Sequence, residues 1–234
     1  MPPAVHIFKK ELKTYFLSPI AYIVIAIFLV ITGWFFFTTF FLVNQANMRN
    51  FFGLLPLIFS FVVPAVTMKL FSEELNIGSY ETLLTLPVTF NDVILGKFLA
   101  STAFVACMLI PTLAYPLCIA FVGQLDWGPV VGGYIGALLL GAGFCAVGLW
   151  TSAMTKNQIV AFIMAMAICF ILVLFNRMLF FLPPDLLGFF AYLGATTHFD
   201  NIAKGVIDSR DFIYFFSLVF IGLYATYLAM DAKN

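Results

Sequence analysis

The stretch PIAYIVIAIFLVITGWFFFTTFFLV, Pro19–Val43, decides the fold: it runs for 25 residues without a charge. A helix rises about 1.5 Å per residue, so about 20 apolar residues cross the hydrocarbon core of a bilayer. The run is too long for the apolar core of a cleaved signal peptide, and no small-residue cleavage site follows it. Five further runs of the same kind follow. They are Phe51–Met68, with Pro56 and Pro64 placed to bend it; Val93–Val122, interrupted by Pro111 and Pro116; Trp127–Met154; Gln158–Phe175; and Phe212–Met230. Composition agrees. Of 234 residues, 63% are hydrophobic, 9% are charged and 30 are Phe, whereas a wetted globule carries about 25% charged residues. The sequence predicts an all-α, polytopic membrane protein with six transmembrane helices in one domain, residues 1–234. A soluble enzyme or a nucleic-acid binder is excluded.

Six spans put both termini on one side. Placing that side in the cytoplasm leaves Lys9, Lys10, Lys13, Lys69, Lys97, Lys156 and Lys233 inside, against Arg49, Arg177, Lys204 and Arg210 outside. The bias follows the positive-inside rule, and the Lys9–Lys13 group beside the first span decides it. Ahead of that span Val5, Phe8, Leu12 and Tyr15 recur at helical spacing, with Lys9, Lys10 and Lys13 on the other faces. This predicts an amphipathic helix over 4–17 lying on the inner leaflet, with Ser18-Pro19 turning the chain into the bilayer; a disordered basic leader is the alternative. In the fourth span, Gly132-x-x-x-Gly136 is a close-approach motif, read as tight packing within the subunit rather than a dimer face. Cys107, Cys118, Cys145 and Cys169 sit in apolar runs without paired spacing and read as packing thiols.

No span carries a charge away from its ends, so a self-contained pump or ion-coupled carrier is disfavoured and any transport energy must enter elsewhere. The most structured polar segment is the inner loop over 71–87. Ser72 can cap a helix with Glu73 and Glu74 in its positive first turn, Gly78 breaks it, Ser79 can cap a second helix and Pro87 stops that one. On the second helix Tyr80, Leu83 and Leu84 share a face while Glu81 points elsewhere, a docking element in need of a groove. The alternative is that the acidic pair merely caps a helix and faces water. On the other side, residues 176–211 form the longest piece between spans. Pro183-Pro184-Asp185 would start Leu186–Leu193, which is apolar but too short to cross and suits a re-entrant or interfacial helix. Thr196 or Thr197 can cap a further helix with Phe199, Ile202, Ala203, Val206 and Ile207 as one apolar stripe and Asp200, Asn201 and Lys204 facing away. His198 reads as a polar residue at that helix start.

The run Phe71-Ser72-Glu73-Glu74, then Gly78-Ser79-x-Glu81-x-Leu83-Leu84-x-x-Pro87-Val88, then Ile94-Leu95-Gly96-Lys97-Phe98 resembles the coupling loop of type 2 ABC-transporter permeases. Ser79 stands where that family has Thr and keeps the capping oxygen. The six-span order, the amphipathic entry helix and the long final outer loop extend the resemblance over nearly the whole chain. The stretch Phe199-x-x-x-Ala203-Lys204-Gly205-Val206-Ile207-Asp208-x-Arg210-Asp211 resembles the gliding-motility-associated branch. The resemblance implies a permease half of an exporter in a bacterial inner membrane, paired with a second permease and seated on two cytoplasmic ABC ATPase subunits. Glu73, Glu74, Gly78, Ser79, Tyr80, Glu81, Leu83, Leu84 and Pro87 would form the ATPase-coupling element. Pro183, Pro184, Phe199, Ile202 and Val206 would belong to an outer gate; a lid that only packs the span ends is the alternative. ATP and Mg would bind at the partner ATPase, with no cofactor held by this chain.

Two rival classes can be weighed on residues. A phosphate-binding loop needs Gly-x-x-x-x-Gly-Lys-Ser/Thr, but Gly96-Lys97 is followed by Phe98 and the earlier Gly position is Asn91. The intramembrane prenyl-protein endopeptidases use Glu-Glu-x-x-x-Arg with separate His ligands. Here Glu73-Glu74 is followed by Gly78 in the Arg position, and His6 and His198 fall on opposite sides of the membrane, so they cannot share a metal. A rhomboid-like Ser–His pair fails for the same want of a His at membrane depth. A purely structural membrane subunit would suit the apolar spans but not the coupling-type loop.

Overall fold

A computed structural model of the chain describes residues 3–43, 47–78, 89–178, 192–206 and 208–233. Among them there is no strand, and six helical stretches are long and apolar enough to cross a membrane. The entry helix α1 spans Pro3–Leu17, and α2, the first spanning helix, runs Pro19–Val43. Between them the Ser18 hydroxyl accepts from the amide of Ile20, and Pro19 takes the first helical position, where its missing N–H costs nothing. On α1 Tyr15 is buried while Lys9, Lys10 and Lys13 are exposed, as the periodicity predicts.

The second span, α3 (Arg49–Thr67), contains both Pro56 and Pro64 without a break, and α4 (Lys69–Ile77) continues it past the single turn residue Met68. This corrects the sequence reading of the loop. Ser72 lies inside α4, fully buried, with its hydroxyl turned back to the Met68 carbonyl, so it caps nothing and Glu73 and Glu74 sit beyond the first turn. Gly78 does end the helix, at φ 77°, a conformation that a Cβ disfavours.

The third span starts at α5 (Phe90–Leu109), where Thr89 and Asp92 form a reciprocal capping box. Pro111 then forces a 3-10 turn over Ile110–Leu113 before α6 (Ala114–Val122). The Thr112 carbonyl at that break accepts a 2.8 Å hydrogen bond from the Tyr134 hydroxyl. A non-helical turn at membrane depth is tolerated when side chains satisfy its backbone in this way.

The remaining helices are α7 (Trp127–Met154), α8 (Gln158–Met178), the short α9 (Ala195–Ala203) and α10 (Ser209–Asp231). The core forms around α7, which packs against α3, α4, α5, α8, α9 and α10. Its glycines meet different neighbours. A Cβ on Gly133 would enter the Phe52 ring of α3, one on Gly141 would lie 2.8 Å from Val105 of α5, and one on Gly143 would lie 2.7 Å from Leu218 of α10. Gly132 and Gly136 face Ile202 and Phe199 of α9, so the motif serves packing within the subunit. By contrast α2, α8 and α10 leave rows of Ile, Phe and Trp side chains on the outer surface, including Trp34, Ile163 and Phe220. Such rows suit lipid, and the chain is a multi-pass membrane protein.

Gly148 provides a direct check. A Cβ there would run into the Thr67 side chain of α3, whereas one on Gly53 would meet nothing within 4 Å. Gly148→Ala should cost about 1–3 kcal/mol through overpacking, and Gly53→Ala should be neutral or stabilise by about 0.5–1 kcal/mol. Thermal unfolding of the two variants in the same detergent reads the difference.

Candidate functional site

One group of charged residues that the structure buries together lies at the end of the bundle formed by α1, α4, the start of α5 and the end of α7. Lys97 on the second turn of α5 is 1% exposed. Its ammonium donates to Glu74 Oε1 of α4 at 2.7 Å, to the Leu70 carbonyl at 2.8 Å and to Glu11 Oε1 of α1 at 3.1 Å. An ammonium has three N–H donors, and all three are used. The Phe71 ring lies 5.2 Å from the same nitrogen. An unpaired ammonium would not survive this burial, whereas one shared by two carboxylates and a carbonyl does.

Gly96 makes the contact possible. A Cβ there would lie 2.8 Å from Ile7 and 3.0 Å from the Ala4 carbonyl, so α1 can settle on α5 only where glycine stands. Tyr15 closes the other side: its ring stacks on Phe104 at 5.0 Å, and its hydroxyl donates to the Val66 carbonyl at 3.1 Å. Burial, with Cys145 and Glu11 adding to it, pushes this phenol well above its usual range, which keeps it a donor.

α4 is held from its opposite flank by α7. The Ser152 hydroxyl accepts from the amides of Phe71 at 2.9 Å and Ser72 at 3.0 Å and donates to the Met68 carbonyl at 2.9 Å. Amides in the first turn of a helix lack partners within it, and here another helix supplies the cap. Nearby the Lys233 ammonium donates to the Ala153 carbonyl at 2.6 Å; burial and the Lys156 charge push its pKa down. Beside the clamp a cavity of about 240 Å³ opens between α1 and α4, lined by Lys10, Thr14, Lys69, Glu73 and Ile77 among others.

The residues singled out in the sequence divide accordingly. Glu74 is part of the clamp and Glu73 is exposed on the cavity rim. Gly78 is the left-handed stop from which the chain leaves α4. Ser79, Tyr80, Glu81, Leu83, Leu84 and Pro87 lie outside the described residues, between the Gly78 stop and the Thr89 cap. At the other end of the bundle Phe199 and Ile202 are fully buried against α7, as the stripe predicts. Val206 is 58% exposed, because α9 ends at Ala203 and Gly205, at φ 83°, turns the chain away. The Thr196 or Thr197 cap is also corrected: the cap position is Gly194, and Thr196 lies within α9 and donates to the Val173 carbonyl of α8. Pro183 and Pro184 lie outside the described residues, as does the segment expected to be re-entrant up to residue 191.

Glu11, Ser152 and the role of Lys97 escape the sequence reading. A charge eight residues into an apolar helix, one place after a glycine, was the available signal for Lys97. Thr89-x-x-Asp92 was the signal for the start of α5.

Compared with known proteins, residues 5–191 match the family model described as ABC-2 family transporter protein. No curated protein matches the chain.

Removing the ammonium should cost more than removing either carboxylate. Lys97→Met takes the ammonium away from two part-buried carboxylates and a carbonyl and should destabilise by about 3–5 kcal/mol. Glu11→Gln leaves Lys97 its shorter bonds to Glu74 and Leu70 and should cost about 1 kcal/mol. Adding Glu11→Gln and Glu74→Gln to Lys97→Met should recover most of the loss. Chemical denaturation in micelles measures all of these; equal losses for the two single variants would refute the ranking.

Proposed function

The chain belongs to the ABC-2 family of transporter proteins, and on that premise we propose that it forms the translocation path of an ATP-driven exporter as one half of a permease dimer. Separate cytoplasmic ATPase subunits hydrolyse MgATP and dock on the segment 79–86. Tyr80, Leu83 and Leu84 form the inserted apolar face of that segment, and Ser79 and Pro87 set its limits. The chain resides in a bacterial cytoplasmic membrane with the α1–α4 end inside, and the stretch at 199–211 allies it with the gliding-motility-associated branch.

The observation that carries the reading is the grip on α4. The docking segment leaves α4 at Gly78, and α4 is joined to the spanning helix α3 through Met68 alone. Lys97 ties the same helix to α5 and, through Glu11, to α1. A push on 79–86 is therefore delivered to three elements at once, and α1 passes it to α2 across Ser18. Nucleotide-driven closure of the ATPases then shifts the populations of two bundle packings by favouring one of them. The described spans keep their ionic contacts near their ends, at Lys97 and Asp211. A path without mid-membrane charge suits an amphiphilic or apolar cargo better than an ion.

The test is co-purification from native membranes in mild detergent. The expected result is a stoichiometric soluble subunit bearing a phosphate-binding loop, with ATP turnover in the complex. Leu84→Asp should abolish that association while leaving the melting temperature of the membrane part unchanged. Undiminished association of Leu84→Asp would overturn the docking assignment. Recovery of the chain alone, under several mild conditions, would overturn the transporter reading in favour of a structural subunit.

A further inference from the structure

At the end of the bundle remote from α1, a titratable pair lies buried that the coupling reading does not use. His198 of α9 is 3% exposed and Asp211, in the first turn of α10, is 2% exposed. His198 is thus an interior residue and not a polar helix start. Its Nε2 lies 2.9 Å from the Tyr192 carbonyl and its Nδ1 lies 2.6 Å from Asp211 Oδ1. A carbonyl can only accept, so Nε2 carries a proton. At 2.6 Å a second proton must lie between Nδ1 and Oδ1, since two lone pairs would otherwise face each other in a site without water-like screening.

The surroundings favour placing that proton on the ring. Asp211 sits at the positive end of α10, which stabilises a carboxylate. The Tyr214 ring stacks on the imidazole at 4.2 Å, and the Tyr192 ring meets it edge-on at 4.9 Å. Asp211 Oδ2 is buried with no hydrogen-bond partner, so the carboxylate depends on His198. One turn along α10, the Tyr214 hydroxyl donates to the Leu193 carbonyl at 2.7 Å. Of two consecutive carbonyls ahead of α9, that of Leu193 is thus bonded to α10 directly and that of Tyr192 to His198, which reaches α10 through Asp211. The other charged groups on or flanking the elements packed together at this end are Asp200 on α9, Lys204 just after it, Asp208 and Arg210 at the start of α10, Asp126 at the start of α7 and Arg49 at the start of α3. None of them bonds the imidazole, whose hydrogen bonds are the two named. The described side chains of α8 carry no charge.

We propose that the proton shared by His198 and Asp211 is a latch that holds α9 and the Tyr192–Leu193 strap on α10, and that its loss releases them. The closed latch binds one more proton than the open one, so opening is favoured as pH rises. The latch stands on the geometry alone; its use as the outer gate of a transport path rests on the function proposed above. His198 is a positioning residue in that gate, acting through α10.

The test uses the whole chain in nanodiscs with ¹⁵N-labelled histidine, which gives only two ring systems, His6 and His198. At neutral pH both ring nitrogens of His198 should show hydrogen-bonded N–H signals; a bare Nδ1 would overturn the proposal. The second measurement reads opening by maleimide labelling of Ala195→Cys, a fully buried position, with Cys107 and Cys118 replaced by Ser. Asp211→Asn is its control: the amide donates to Nδ1 while Nε2 still donates to Tyr192, so the contact survives without the extra proton. Relative to that control, labelling should rise by on the order of several-fold as the pH is raised, since opening releases the shared proton. Identical pH profiles for the two backgrounds would refute the latch, while a failure of ATPase association would leave both readouts untouched and bear only on the transporter reading.

Discussion

The closeness of α7 to its neighbours is the constraint on which the rest of the bundle depends. Lipid tails are as apolar as Leu, so spanning helices gain little from hydrophobic burial against one another; they are held by close packing and by hydrogen bonds. α7 meets that requirement with glycines placed around the helix rather than along one stripe, admitting Phe52, Val105, Ile202 and Leu218 from four different elements. Gly222 of α10 answers from the other side, where a Cβ would meet Ala146 at 2.8 Å. Where a spanning helix stays clear of α7, as α2 does, and on the face of α10 turned away from it, lipid-facing aromatic and branched residues appear instead.

α7 also organises both ends through polar groups. Ser152 near its last turn caps α4, and Tyr134 nearer its start satisfies the broken turn of the third span. The two ends nevertheless differ in kind. At one, a lysine with three acceptors joins three helices in a contact with no spare donor, which suits transmission of force. At the other, a histidine and an aspartate join two elements through a single proton, which suits release. Among the described residues, the ionic contacts sit near the helix ends and are kept out of the apolar middle, where charge would have to be neutralised.

The helices themselves were legible because their causes are local. Length and apolar run define a span, a proline at the first position starts α2, and Gly78 ends α4 since a left-handed turn needs no partner elsewhere. Ser72 shows where locality fails. Serine ahead of an acidic pair is a capping signature, but α4 begins three residues earlier, at Lys69, and the amides of Phe71 and Ser72 are taken by Ser152, which is distant in sequence. Val206 fails differently: the periodic stripe continues through it in the sequence, yet the helix ends before it, at Ala203.

The sequence by itself determined the class of the protein, the number and place of its spans, and the loop motif by which its family could be named. Each of these is a one-dimensional property of apolar length, breakers and spacing. Only the tertiary structure decided that Lys97 is a buried clamp and His198 a buried partner of Asp211. Both facts depend on acceptors brought from other helices, Glu11 and Glu74 for one and Asp211 for the other, and on glycines that let those helices approach. A lone lysine or histidine in a sequence carries no record of its partner. Whether its charge can be buried is settled by three-dimensional packing, because desolvation is offset only when hydrogen-bonding groups converge on it.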